Sequence, residues 1–150
     1  MSDLDDLYQE VVLDHNRRPR NSGRLASANR EADGYNPLCG DRVTVYLEVQ
    51  DNVITDISFE GTGCAISTAS ASLMTEGLKG KTLDDARALF DGFHGLVTRG
   101  PDDGSDPVDL GKLVVFSGVG RFPARVKCAT LAWHTVKAAM DNATKPVTTE

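Results

Sequence analysis

The sequence predicts an α+β fold: a small antiparallel sheet of about three strands packed against several helices. Three observations lead there. Leu4, Leu7, Tyr8, Val11, Val12 and His15 recur at helical spacing. Val43, Val45, Leu47 and Val49 then alternate with polar residues, as on a half-buried strand, and residues 53–60 resume the alternation after a turn. From residue 64 the spacing is helical again, and there is no internal repeat. A helix, a run of strands and a run of helices follow one another as in α+β proteins, whereas parallel-sheet folds alternate the two.

The first helix is expected over residues 3–16, opened by a capping box of Ser2 and Asp5 and ended by Pro19. Residues 21–40 are polar and rich in turn formers, with a short strand near Asn29–Tyr35. Asp51-Asn52 makes a two-residue hairpin turn, and Val53, Ile57 and Phe59 share one face of the returning strand. Residues 64–78, rich in Ala and Ser, read as a helix packed through small side chains. A Ser-rich linker would lack Leu73, Met74 and Leu78. Thr82 and Asp85 cap the next helix, whose apolar side is Leu83, Ala86, Leu89, Phe90 and Phe93. Residues 91–108, with four Gly, two Pro and several Asp, are expected to form an exposed loop. An apolar stretch, Leu110 to Phe116, stops at Gly118 and Gly120. Pro123 opens a final helix to about Asn142, with Val126, Ala129, Trp133, Val136 and Met140 as its buried face.

At 150 residues the chain is expected to form one domain, 1–150. Hydrophobic residues at 40% and charged residues at 25% are the balance of an ordinary globular protein. Sixteen Lys and Arg against 22 Asp and Glu give a net charge of −6. That argues against nucleic acid, whose binding is driven by neutralising phosphates. Arg17, Arg18 and Arg20, beside His15, read as a solvated helix end or a docking patch for an acidic partner. Met1-Ser2-Asp3-Leu4-Asp5-Asp6 has neither the basic nor the apolar part of a signal peptide. No stretch approaches the roughly 18 apolar residues of a membrane span. A cytoplasmic setting away from membranes is therefore expected, where thiols stay reduced. Three cysteines cannot all pair, and in such a setting they are core residues, metal ligands or reactive thiols.

Cys39 lies in Asn36-Pro37-Leu38-Cys39-Gly40-Asp41, ahead of the first long strand. In an extended chain, residues two apart point the same way, so Cys39 and Asp41 can face one ion, and both suit zinc. The alternative is a loop cysteine beside a turn-forming Asp. Cys64 follows Gly61-Thr62-Gly63, where strand gives way to helix. A helix N-terminus favours a thiolate, although a buried structural cysteine fits the same place. The glycines match no phosphate-loop pattern. Cys128 sits in the second turn of the last helix, three residues after Arg125, whose charge lowers the pKa of a neighbouring thiol. A core cysteine with Arg125 turned to solvent is the alternative. His134 lies about 240° around the helix from Cys128. His15 reads as a satisfied core histidine, and His94 falls in the expected loop.

Taken together, the three cysteine contexts resemble the IscU/NifU-like iron–sulfur cluster assembly family. They are Asn36-Pro37-Leu38-Cys39-Gly40-Asp41, Gly61-Thr62-Gly63-Cys64-Ala65-Ile66-Ser67 with the Ala/Ser run after it, and Lys127-Cys128-Ala129-Thr130-Leu131-Ala132-Trp133. Leu7-Tyr8, Asp14-His15, Pro19-Arg20-Asn21 and Phe122-Pro123-Ala124-Arg125 extend the resemblance over nearly the whole chain, least in 91–110 and after 142. Two features resemble the sulfurtransferase branch rather than the scaffolds. The insert between Cys64 and Cys128 is long, and Lys127 stands where scaffolds carry a histidine. A lysine ammonium is a poor metal ligand near neutral pH. The Pro-rich chaperone-binding motif of the scaffolds is also missing.

The resemblance implies a zinc site of Cys39, Asp41, Cys64 and Cys128, with Cys39 taking persulfide sulfur from a SufS-type cysteine desulfurase. Other Suf assembly proteins are further partners it suggests. Two rivals stand beside this reading. One is a scaffold holding a transient [2Fe–2S] cluster on the same residues, and the other is a purely structural zinc module.

Overall fold

The computed structural model describes residues 3–37, 40–99, 113, 116, 119, 122–141 and 147–148. Helix α1 (Asp3–Arg17) leads into strands β1 (Arg30–Asn36), β2 (Asp41–Gln50) and β3 (Val53–Thr62). Helices α2 (Ala65–Leu78), α3 (Leu83–Arg99) and α4 (Pro123–Met140) follow, then a short strand β4 (Val147–Thr148). The expected antiparallel meander is present, β1 on β2 and β2 on β3. β4 adds an unforeseen edge, pairing parallel to β1 and giving the order β3-β2-β1-β4. Ser2, the expected cap of α1, lies outside the described residues.

The β2–β3 turn has the chemistry the sequence suggested. Asp51 and Asn52 both take positive φ, 53° and 63°. Two such residues make the tight turn whose twist matches that of the flanking strands. One sheet face is apolar, with Ala32, Val43, Val45, Leu47, Ile57 and Phe59 all buried. The other carries polar pairs, Thr44 with Asp33 at 2.7 Å and Tyr46 with Glu60 at 2.5 Å. The Glu60 carboxylate, as acceptor, pushes the Tyr46 phenol up to about 12. The free side of β3 is covered where Gly23 N–H donates to Phe59 O (2.8 Å) and Gly80 N–H to Ile54 O (2.7 Å). Covered edges do not recruit stray strands.

Helices α2 and α4 pack side by side against the apolar sheet face. Small residues let them approach, and Ala69, Ser70, Ala129 and Ala132 are all buried. Between the two helices, Ser70 Oγ donates to Ala129 O at 2.5 Å and accepts from Trp133 Nε1 at 3.1 Å. Trp133 stacks on Phe93 of α3 with ring centroids 4.6 Å apart. Helix α1 is fastened to α2 by His15, 1% exposed, whose Nδ1 lies 2.7 Å from Ser72 Oγ. Ser72 Oγ also accepts from Arg20 N–H at 2.8 Å, and Glu76 lies 3.5 Å from His15 Nε2. His15 is thus the core histidine its position suggested. Arg20 pairs with Asp14 at 2.7 Å, and that hydrogen bond holds the Asp14 carboxyl below the usual range. Arg17 and Arg18 are exposed.

One expectation is corrected. Residues 91–99 continue α3 instead of opening a loop. Phe93, Leu96 and Val97 keep the helical spacing of Phe90 and are buried, and their packing outweighs the roughly 1 kcal/mol that each glycine costs a helix. His94 is accordingly a helix residue, stacked on Phe90 (5.9 Å) beside His134 (5.7 Å). Residues 100–112 lie outside the described part. Of the stretch from Leu110 to Phe116, Leu113 and Phe116 are described, and both are buried.

Replacing Ser70 by Ala removes the partner of two buried groups at the α2–α4 contact. Ser70→Ala is expected to destabilise the protein by about 1–3 kcal/mol. Equilibrium denaturant unfolding checks this, and an unchanged midpoint would show that the network contributes nothing.

Candidate metal centre

Three elements bring their ends to one place. β2 begins at Asp41, directly after Gly40, whose φ of 74° is one that side-chain-bearing residues rarely adopt. Gly40 N–H donates to Asn36 O at 2.9 Å, closing the connection from β1. β3 runs to Thr62, paired with Arg42, so the chain leaving β3 passes beside Asp41. The close approach of β2 and β3 there leaves no room on Gly61, where a Cβ would lie 2.1 Å from Arg42 O. Cys64 then caps α2 in an extended conformation, φ −72° and ψ 168°. Cys128 comes from α4, whose first residue is Pro123.

The donor atoms of Asp41, Cys64 and Cys128 all lie within 4.8 Å of one another. Asp41 is 1% exposed, so its carboxylate needs partners inside the protein. Its Oδ1 accepts the Cys64 amide at 2.9 Å, and the Cys64 thiol lies 3.6 Å from Oδ2. Cys64 Sγ accepts Ser67 N–H at 3.4 Å, as an N-cap side chain does. The Cys64 thiol is lowered to about 7, first by the Cys128 side chain as hydrogen-bond donor, against a rise from burial. The backbone donors at Ser67 and Ile66 lower it further, while the Asp41 charge raises it. Cys64 therefore changes roles, donating to Asp41 as a thiol and accepting from Ser67 and Cys128 as a thiolate.

Two thiolates and a carboxylate, converging and partly shielded, are a donor set that fits zinc, with a fourth position to fill. Among the described residues, this is the group of His, Cys, Asp and Glu side chains that converges in this way. The structure thus brings together three of the four expected site residues. Cys39, the fourth, lies outside the described residues. Arg125 is exposed, its guanidinium 4.4 Å over the Phe122 ring. His134 packs on Phe90 at 5.3 Å, away from the thiols, and burial lowers its pKa, with His94 and Lys137 adding to the effect.

Tyr8 is a site neighbour that the sequence does not reveal, since its helical spacing marks it only as a residue of the apolar face of α1. Its ring meets Phe116 edge-on at 5.5 Å. Its hydroxyl is buried without a hydrogen-bond partner among the described residues. Burial raises its pKa, Arg125 pulls it back, and charge on Cys64 and Cys128 raises it again. No periodicity marks a tyrosine hydroxyl as buried beside thiols.

Comparison with known proteins places the chain beside iron–sulfur cluster assembly proteins. The family model described as the NifU-like N-terminal domain matches residues 7–129. The chain is 40% identical over 136 residues to the zinc-dependent sulfurtransferase SufU of Bacillus subtilis (strain 168), covering 91% of this chain and 90% of that protein. It is also 40% identical, over 140 residues, to the iron–sulfur cluster assembly scaffold protein IscU of Streptococcus pyogenes serotype M1, covering 93% and 86%. The crystal structure of the N-terminal part of a nitrogen-fixing NifU-like protein from Brucella abortus superposes with a TM-score of 0.81. Its sequence identity is 30%, over 94% of this chain and 96% of that one.

The Cys64–Cys128 hydrogen bond makes a prediction for the metal-free protein. Cys128→Ala removes the largest cause of the lowered Cys64 pKa, so the thiolate fraction at pH 7 falls. Returning the thiol towards about 8.5–9 cuts that fraction by a factor of ~15–50, partly offset because a more basic thiolate is more nucleophilic. Alkylation of Cys64 at pH 7, followed by peptide mass mapping, is expected to slow several-fold. Equal rates in both proteins would contradict the hydrogen bond.

Proposed function

The chain belongs to the NifU-like N-terminal domain family, and within it we propose that it acts as a zinc-dependent sulfurtransferase in iron–sulfur cluster assembly. In this reading Cys39 receives persulfide sulfur from a SufS-type cysteine desulfurase in the cytoplasm. The observation that carries it is the converging, partly buried set of Asp41, Cys64 and Cys128, whose first member follows Cys39 by two residues in the sequence. The 40% identity to the B. subtilis sulfurtransferase over most of both chains supports the same reading.

Zinc held by Asp41, Cys64, Cys128 and Cys39 would keep the thiols deprotonated and together at neutral pH. The protein's own groups divide the remaining work. The Cys64 amide and the β2–β3 junction orient Asp41, and Ser67 N–H neutralises part of the charge on Cys64. In the sequence, Cys39 falls between Asn36, where β1 ends, and Asp41, where β2 begins. For transfer, its thiolate attacks the outer sulfur of the desulfurase persulfide. A new S–S bond forms to Cys39, the old S–S bond breaks, and the desulfurase thiolate leaves. No net oxidation occurs.

The scaffold reading draws on relatives named as scaffolds. Lys127 is the sequence feature against it: it stands immediately before Cys128, where the resemblance leads one to expect a histidine in a scaffold, and a lysine ammonium is a poor metal ligand near neutral pH. The experiment that tests the proposal combines metal analysis with mass spectrometry after incubation with a cysteine desulfurase and free cysteine. The protein as isolated is expected to be colourless, with about one zinc per chain in a tetrahedral site. The added sulfur is expected on Cys39, and Cys39→Ala is expected to lose it. Sulfur on Cys64 or Cys128, with full turnover by Cys39→Ala, would rule the mechanism out. A coloured protein holding iron and sulfide would favour the scaffold.

A further inference from the structure

The Asp41 carboxylate occupies space that a side chain on Gly63 would need. A Cβ placed on Gly63 would lie 2.7 Å from Asp41 Oδ1, 3.0 Å from its Cγ and 3.3 Å from its Cβ. Real Cβ atoms essentially never approach a heavy atom that closely. The backbone does not explain the glycine. The described glycines with positive φ are Gly23, Gly40 and Gly80, so Gly63 has a conformation open to alanine. The three atoms nearest to that Cβ all belong to the Asp41 side chain. Gly61, two residues earlier, differs on this point: its missing Cβ makes room for the backbone of Arg42.

Asp41 has little freedom to give way. It is 1% exposed, and its Oδ1 is held by the Cys64 amide at 2.9 Å, one residue beyond Gly63. With Oδ1 engaged in that charge-assisted bond, Oδ2 is the oxygen turned to Cys64 Sγ, 3.6 Å away. We infer that Gly63 is a positioning residue that admits the Asp41 carboxylate and fixes it as a one-oxygen metal ligand, through Oδ2. The inference rests on the metal-site reading proposed above and adds to it. The bare position at 63 and the amide at 64 together select which carboxylate oxygen faces the thiols. A methyl group at 63 pushes Oδ1 off the amide and turns the whole carboxylate.

The test is zinc affinity, measured by competition with a chromophoric chelator on wild type, Gly63→Ala, Asp41→Ala and the double variant, with melting of each metal-free protein. Gly63→Ala is expected to weaken zinc binding by about 10–100-fold, the usual cost of disturbing a group that orients a ligand. Because both changes act through one carboxylate, the double variant is expected to bind no more weakly than Asp41→Ala alone. A merely structural glycine would add its own loss to that of Asp41→Ala. Should Gly63→Ala fail to fold, the double variant decides, since removing the carboxylate makes room for the methyl and is expected to restore folding. Wild-type affinity in Gly63→Ala, additive losses, or a double variant that does not fold where Asp41→Ala does would each overturn the role of Gly63. A wild-type protein that binds no zinc would overturn the metal reading as well.

Discussion

The hydrogen bond from the Cys64 amide to Asp41 Oδ1 joins the two halves of the site. An aspartate with 1% of its surface exposed is costly to leave unpartnered, and its partner is the first free amide of a helix. That one contact ties the start of β2 to the start of α2, and hence the sheet to the helical layer. It also needs the β2–β3 register, the glycines that end β3, and the extended conformation of Cys64. The third donor is brought by α4, whose distance from α2 is held by Ser70, Ala129 and Trp133. The donor cluster is therefore a product of the whole packing, with its members on three separate elements.

Cys64 shows how local structure and chemistry coincide. An N-cap position is usually filled by an oxygen-bearing side chain that accepts an orphan amide. Here sulfur takes that place and accepts from Ser67. The bond that caps the helix also stabilises the thiolate, and Cys128 adds the largest share, bringing the thiol to about 7. The opposing effects are burial and the nearby Asp41 charge, both of which a bound cation relieves. Thiolate and carboxylate crowded together without a cation are mutually repulsive, which is why this arrangement suits a metal ion better than a bare reactive cysteine.

Much of this was legible along the chain. Alternation at Val43–Val49, the Asp51-Asn52 turn and the small-residue pattern after Cys64 each follow from local rules, and the elements formed there. The site was legible at the level of residue types: Asp41, Cys64 and Cys128 do converge, and Gly61-Thr62-Gly63 did mark the strand-to-helix junction. Besides the buried hydroxyl of Tyr8, three things were not legible. The extension of α3 through Gly92 and Gly95 depends on burial of Phe93 and Val97, a tertiary effect that overrides local breakers. β4 is too short, at two residues, to leave a pattern. The role of Gly63 depends on which atom stands opposite a missing Cβ, and only the register of β2 and β3 decides that.

The central claim is that the packed ends of β2, α2 and α4 present a mixed sulfur–oxygen site completed by Cys39. X-ray absorption at the zinc edge on the loaded protein tests it most directly. The account predicts three sulfur neighbours at about 2.3 Å and one oxygen at about 2.0 Å. A shell of four sulfurs, or one made mainly of nitrogen and oxygen, would contradict it.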